Sequence, residues 1–414
     1  MIYLFYFFAF VLVWLSFKSF LGGVRYLRYF KRELAKPLPT WTPFVTVIAP
    51  CRGLDKDLEQ NLSALIELDY PDYEIIFVVD AKGDPSVAVI EEVSRKAKVR
   101  TARDSDRVSL STKLIVAAKA TDCAQKIENL REAVLHTDTR SQVFVFVDSD
   151  ARPQADWLRY LVAPLEDNRN GAATGYRWFI SKHRTFASEM RVAWNASIAS
   201  ALGTNTDSNF CWGGATAIRR DTFDAVDMSE KWRGTLSDDF AVTQAVKDAG
   251  LKIVFVPQAL TPSVDDCTFN ELVEFTTRQM KIVRVCEPKL WLMTLVGSGL
   301  FNSVLIASFL IVVLSDANSL AVAVAISTLL LVFGFSIGKA WLRLKAVKLV
   351  LDTYKREIGK QFFTQNTLWL LTGLLFFYNA VAALFSRRIT WRGTRYELKS
   401  ATETVIIGTT DDRT

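Results

Sequence analysis

Metal-binding histidines, paired cysteines and glycine-rich nucleotide loops are what this chain lacks. Only two histidines occur among 414 residues, and the five cysteines (Cys51, Cys123, Cys211, Cys267, Cys286) form no C-x-x-C pair. A zinc site is therefore not expected, and no disulfide framework is suggested. Neither G-x-G-x-x-G nor a Walker A sequence is present, which argues against a dinucleotide dehydrogenase and a P-loop NTPase. Charge is also thin: 23% of residues are charged and 50% hydrophobic, with a mean hydropathy of +0.16. That balance is too apolar for an ordinary soluble enzyme and too charged for a transporter.

The apolar excess is concentrated rather than spread. It fills residues 2–21 and returns after Leu290, so the design is a soluble domain between membrane segments. Ile2–Leu21 is about long enough to span a bilayer. It has no basic leader and no clear cleavage site, which reads as an uncleaved anchor. Arg25, Arg28, Lys31, Arg32 and Lys36 follow at once and place the next domain in the cytosol, at a bacterial plasma membrane. The net charge of +6 crowds beside these hydrophobic stretches, favouring anionic lipid headgroups over nucleic acid as the partner. The expected divisions are an anchor over 1–24, a catalytic domain over 41–289, a membrane region over 290–386 and a basic tail over 387–414.

From Phe44 to about Pro257, strands and helices alternate. Phe44–Pro50, Glu74–Asp80, Leu114–Ala118 and the stretch Val143–Pro153 read as buried strands, with Leu251–Pro257 as a further short one. Leu58–Leu68, Pro85–Lys98 and Ala124–Leu135 read as helices. The expected fold class is α/β, a mostly parallel, Rossmann-like sheet covered on both faces. Ala187–Leu202 sets Met190, Trp194, Ile198 and Leu202 on one helix face, read as core rather than membrane contact. Leu290–Leu314 and Leu320–Ile337 are transmembrane candidates joined by a turn at Ser315–Ser319. Lys339–Lys360 reads as an amphipathic surface helix, and Leu368–Phe385 is a third C-terminal apolar segment. Three further spans would put Arg387, Arg388, Arg392, Arg395 and Lys399 outside, against the positive-inside trend. Either the last segment is re-entrant or interfacial, or the tail is an exception.

The chemistry sits at strand ends. Val143–Pro153 reads VFVFVDSDARP, an alternating strand that runs into Asp148 and Asp150 and stops at Pro153. Two carboxylates there can hold a hard divalent cation, or they can form a polar turn. Asp80 can accept a hydrogen bond from a base edge or ribose, or cap a helix. Lys126 can neutralise a phosphate or simply face solvent. Asp238 and Asp239 open a helix, either as caps or with one as general base. Trp212, Gly213 and Gly214 offer a flat indole and close backbone approach, or a tight turn. Arg278 and Lys281 share a helix face suited to a diphosphate or to a lipid surface.

The ordered set resembles the family 2 glycosyltransferases, and within them the ceramide glucosyltransferase group. The resemblance rests on PCRGLDKDLEQNL, ELDYPDYEIIFVV, CAQKIENL, AIRRDTF, SDDFAVTQAVKDAGLKIVF and ITWRGTRYEL, which stand in that order. It implies a GT-A nucleotide-sugar fold and inverting transfer of a hexose, glucose from UDP-glucose, to ceramide or a similar membrane lipid. It implies Asp239 as catalytic base and Asp148 and Asp150 acting through Mg2+ or Mn2+. Donor binding would fall to Arg52, Asp80, Lys126, Asp148, Trp212, Gly213, Gly214, Asp238, Arg278 and Lys281. The chain departs from the family's R-x-x-R-W, with Lys281 and Ile282 in place of the second arginine and the tryptophan. A processive polysaccharide synthase is the nearest alternative, but few C-terminal spans and the missing Q-x-x-R-W argue against it. A DxD phosphatase leaves the other motifs unexplained and meets Arg152 where a Thr or Val is expected. A non-catalytic scaffold has no reason to keep acids at so many strand and loop ends.

Overall fold

A computed structural model describes residues 2–103, 107–317 and 319–409. Met1, Asn318 within the expected turn and residues 410–414 of the expected tail lie outside them. The chain divides into two compact units.

The first unit takes residues 33–179, 201–265 and the chain from Arg388 onward. Its strands are β1 (Val45–Pro50), β2 (Asp72–Val79), β3 (Ser109–Val116), β4 (Val143–Phe146), β5 (Asn170–Ile180), β6 (Thr216–Arg219) and β7 (Lys252–Val264), in the order β3-β2-β1-β4-β6-β5-β7. β1 pairs in parallel with β2 and with β4, and β2 with β3. β6 then runs antiparallel to both β4 and β5. This is the expected α/β class with a mostly parallel sheet, and its physical basis is plain: every residue of β4 and all of β2 beyond Asp72 is buried. β7 runs on past the expected stop at Pro257, through Pro262. It lies at the edge of the sheet, where a proline's missing N–H leaves no ladder partner unsatisfied.

β2 and β3 follow on one side of β1, and the crossover from β3 then places β4 on the other side of β1. The crevice at the carboxyl ends of such strands is where α/β sheets bind ligands. Phe144, Phe146, Phe223 and Trp232 pack edge to face or tilted behind β4, with centroids 5.2 to 6.3 Å apart. They fix the short strand from which Asp148 emerges.

The tail beyond Phe385, expected only as basic, folds. β8 (Arg388–Trp391), β9 (Thr394–Ser400) and β10 (Glu403–Thr409) form a separate antiparallel sheet. Tyr396 and Leu398 are buried on one face of β9, while Arg395, Glu397 and Lys399 point the other way, the period of two that a half-buried strand requires.

The second unit holds the apolar helices, with the chain up to Arg32, residues 180–200 and residues 266–387. Ile2–Leu34, Pro288–Leu314 and Leu320–Val350 are long and apolar enough to cross a membrane. At about 1.5 Å per residue the last of these reaches about 46 Å, longer than the hydrocarbon layer. The segment expected as a surface helix from Lys339 is, up to Val350, the continuation of the helix that begins at Leu320. The chain breaks at Leu351, and the pieces Asp352–Thr367 and Trp369–Phe385 meet at a bend of 69°. Small residues let the helices close: a Cβ on Gly338 would meet Phe20 at 2.7 Å, and one on Gly373 would meet Phe301 at 2.7 Å. Trp194 is buried as expected, but what it stacks on is Phe376 of the last apolar helix, at 5.2 Å.

Residues on both sides of the three C-terminal apolar segments fold into one compact unit. Between them, Pro288–Leu314 and Leu320–Val350 are each long and apolar enough to cross a membrane, and the bent pair has the form of a broken span or a re-entrant loop.

Candidate active site

Four segments of the sheet-bearing unit converge on the carboxyl ends of β1, β2 and β4. Asp148 and Asp150 lie in the turn after β4, where Ala151 N–H donates to Asp148 O at 3.0 Å. Lys126 enters from the first turn of the helix Gln125–Leu135. Its Nζ bridges Asp148 Oδ1 at 2.7 Å and Asp238 Oδ1 at 3.1 Å. Arg177 of β5 closes the other side, with Nη2 on Asp148 Oδ2 and Nη1 on Asp150 Oδ2, both at 3.0 Å.

Burial opposes every charge here, and the neighbours decide which charges survive. Lys126 is desolvated, but Asp148 and Asp238 raise its pKa above the ordinary lysine value. Asp148 is buried too, yet Lys126 and Arg177 hold it below the usual carboxylate range. Asp150 goes the other way: burial and the charges of Asp148 and Asp55 raise it against the pull of Arg177. Asp238 is pushed up to about 6 by burial, with Asp239 and Asp148 adding to the shift and Lys126 opposing it. These are the first two of the three ways a protein moves a pKa, working against one another.

Asp238 and Asp239 begin the helix Asp238–Asp248, and the structure separates their roles. Asp238 is 5% exposed and engaged with Lys126, and Trp232 Nε1 donates to its backbone oxygen at 3.3 Å. Asp239 is half-buried; its Oδ1 accepts from Ser237 Oγ and from Phe240 N–H at 2.8 Å. Asp80 stands at the end of β2 with Lys119 Nζ at 2.8 Å and Arg52 Nε at 3.8 Å.

The loop Trp212–Gly214 packs against the same set. Trp212 is 8% exposed, with Tyr176 at 5.5 Å and the Arg177 guanidinium 4.7 Å from its ring centre. The indole thus offers one face to a cation. The glycines approach side chains of the chain itself. A Cβ on Gly213 would meet Lys126 Nζ at 2.7 Å as well as Asp238, and one on Gly214 would strike the Trp212 ring.

Arg278 and Lys281 lie on the helix Phe269–Cys286, which belongs to the other unit. Arg278 sits 5.7 Å from the Phe275 ring centre. Sequence reasoning missed Arg177, Asp55 and Ser149. Arg177 had a signal: a lone arginine among the buried residues of YRWFI needs a buried carboxylate. Asp55 accepts from Ser149 Oγ at 2.6 Å, a pairing across 94 residues that no local pattern announces.

Whether these residues suit a divalent cation can be asked of their chemistry. Four carboxylates (Asp148, Asp150, Asp238, Asp239) gather around two cations (Lys126, Arg177). Asp150 Oδ1 is buried without a hydrogen-bond partner. Among the described residues, no group of three or more His, Cys, Asp or Glu is arranged as a metal site. An acid-rich centre that offers oxygen donors from two carboxylates fits a cation such as Mg2+, whose remaining ligands are waters and substrate phosphates.

Comparison with known proteins gives this arrangement its class: the chain is a membrane-associated glycosyltransferase. It matches the model of glycosyl transferase family 21 over residues 11–404 and belongs to that family. A ceramide glucosyltransferase of Komagataella phaffii is 31% identical over 78 residues. That stretch is 19% of this chain and spans only 15% of that relative's length. Among solved structures, a mannosyltransferase from Pyrobaculum calidifontis, in complex with GDP-Man and Mn2+, is similar over 92% of this chain and 99% of its own, at 17% identity and a TM-score of 0.46. The glucosyl-3-phosphoglycerate synthase of Mycobacterium tuberculosis covers 60% of this chain and 85% of its own, at 12% identity and a TM-score of 0.33. Likenesses this distant say nothing of donor, acceptor or metal.

Proposed function

We propose that the protein transfers a hexose, glucose from UDP-glucose, with inversion onto ceramide or a similar two-chain lipid at the cytosolic face of a bacterial plasma membrane. The observation that carries this reading is the division of labour at the acid pair. Asp238 is committed to Lys126, while the half-buried Asp239 is left as the group that can reach a substrate.

Asp239 takes the proton of the acceptor hydroxyl as the oxygen attacks the anomeric carbon from the face opposite the nucleotide. The bond from that carbon to the diphosphate oxygen breaks, and its electron pair leaves with UDP. One displacement with one base inverts the anomer, by the geometric logic that separates inverting from retaining glycosidases. Lys126 has three N–H donors, two of them directed at Asp148 and Asp238, and the third serves a phosphate oxygen of the leaving group. Asp148 and Asp150 would hold Mg2+ or Mn2+, which would supply the charge that a diphosphate needs in an acid-rich site. Asp80 and Arg52 would bind the nucleoside end of the donor, which their places at the ends of β2 and of β1 support. Arg278 and Lys281 remain proposed donor or lipid-surface contacts from the helical unit. The resemblance to ceramide glucosyltransferases and the membrane helices support a lipid acceptor over a soluble one.

Mass and anomer analysis of lipids from cells expressing the chain, beside cells expressing Asp148→Ala, tests the reading. A β-glucosyl lipid present only with the unaltered chain supports it. A polymer, an α-linked product or no lipid product refutes it.

A further inference from the structure

We infer that Arg392, at the tip of the C-terminal sheet, is a binding residue for the diphosphate of the sugar donor. The inference rests on the donor reading above and adds to it a segment to which the sequence assigned no site residue.

The C-terminal sheet touches the loop after β1, the start of the helix Gln125–Leu135 and the loop before Asp238. Arg392 Nη1 and Nη2 form a fork on Asp55, at 2.6 and 2.9 Å. Asp55 in turn accepts from Ser149, the residue between Asp148 and Asp150, at 2.6 Å. Arg392 Nη1 also donates to Arg52 O at 3.1 Å, and Arg52 Nη1 donates to Thr394 Oγ1 at 3.3 Å. Tyr396 Oη lies 3.4 Å from the backbone N–H of Gln125, next to Lys126. A Cβ on Gly234, in the loop that leads to Asp238, would strike Thr402 O.

The hairpin tip is shaped for its arginine. Trp391 and Thr394 pair across a two-residue turn in which Arg392 (φ 49°) and Gly393 (φ 77°) both lie in the left-handed region. Such turns favour Asn-Gly or Asp-Gly. An arginine in that conformation is strained, and strain of this kind clusters where a side chain has a task. The guanidinium is 42% exposed at its side chain, and its five donors exceed the three contacts above. Asp148 and Asp150 both act on its charge. A planar fork suits phosphate oxygens better than a lysine would. Asp55 holds that fork beside the Asp148–Asp150 turn until a diphosphate arrives.

Titration calorimetry on the full chain in detergent, with Mg2+ present, tests this using UDP, uridine and inorganic pyrophosphate. The expected result is that R392A weakens UDP and pyrophosphate by about tenfold or more while uridine binding and the melting midpoint stay unchanged. K399A, on the same sheet and paired with Glu397, is expected to bind all three like the unaltered chain. Unchanged UDP and pyrophosphate binding by R392A overturns the inference. So does an equal loss of uridine binding, which marks a merely structural role. If R392A does not fold, R392K carries the test, since it keeps the charge and loses the fork. UDP binding by R392K equal to that of the unaltered chain overturns the proposal, and weakened UDP with unchanged uridine supports it. An unaltered chain that binds neither UDP nor pyrophosphate refutes the donor reading itself, and this inference falls with it.

Discussion

The two units differ in the partners that several of their cations find. In the sheet-bearing unit, Lys126, Arg177 and Arg392 face carboxylates, and carboxylates are in excess. In the helical unit, Arg184 faces Glu189, but other cations lean on neutral acceptors. Arg343 donates to Gln365 Oε1 at 2.7 Å, Lys339 to Ser19 Oγ at 2.8 Å, and Arg284 to the backbone oxygens of Ala383 and Leu384. The first arrangement leaves an excess of negative charge, which suits a divalent cation. The second leaves positive charge uncancelled, which suits anionic headgroups. The two kinds of charge thus fall in different units.

The sharpest way to break this comparison lies inside the first unit, at the acid pair. Asp239→Asn should lower kcat by about a thousandfold, within the range general-base removal gives, and leave UDP binding unchanged. Asp238→Asn should instead weaken donor binding, because Lys126 loses its second carboxylate. Radiolabelled transfer beside calorimetry of both variants checks the pair. If the two variants behave alike, the division between base and support is wrong.

Arg177→Ala comes next in size. It leaves Asp148 and Asp150 without their fork, and because both carboxylates are part-exposed, solvent softens the loss to well below the cost of breaking a fully buried pair. The centre then carries one cation fewer, so Mg2+ should raise the melting midpoint of R177A more than that of the unaltered chain. Thermal melts with and without Mg2+ measure both effects. Equal shifts would argue against a cation site at these carboxylates.

How much of this could be read from the chain follows the same divide. The parallel strands were legible because burial on both faces demands unbroken apolar runs, as in VTVIAP and DYEIIFVV. β5 was not, since NGAATGYRWFI opens on small residues that give no strong period. Asp148, Asp150, Lys126 and Asp238 were legible as a set, and they do meet. Trp212 reads as a platform because an indole stands beside glycines, while its contacts to Tyr176 and Arg177 were not legible because both lie on β5. The tail misled through its charge. The alternation of TRYELKS was present, but Arg-Gly is a poor hairpin signal beside Asn-Gly, and nothing local ties Arg392 to Asp55 across 337 residues.

Acidity offers a milder test of the first arrangement. Asp238 titrates at about 6 in the folded chain against an ordinary 3.8. Between about pH 4 and pH 6 the native state therefore holds a proton that the unfolded chain has released. This group's contribution makes stability fall as pH rises through that window and leaves it flat above. Donor binding should run the opposite way, weakening severalfold from pH 7 to pH 5 as Asp238 takes up its proton and lets go of Lys126. Asp238→Asn should remove both inflections. A donor affinity that stays level from pH 7 to pH 5 in the unaltered chain would show that the bridge to Asp238 is dispensable.

The smallest effect is expected in the helical unit, where neutral groups do the joining. Asn379, fully buried, accepts from Thr277 Oγ1 at 3.0 Å and Thr276 Oγ1 at 3.3 Å, tying the last apolar helix to the helix Phe269–Cys286. Interhelical hydrogen bonds of this kind contribute only about 1 kcal/mol, because the separated helices also find polar partners. Asn379→Ala should therefore lower the melting midpoint in detergent by a few degrees and leave the donor KM unchanged, since the helical unit carries none of the Asp148 cluster. A rise in donor KM would show that this joint helps to hold the donor site, and the separation of charge drawn above would then have to include the packing of these two helices.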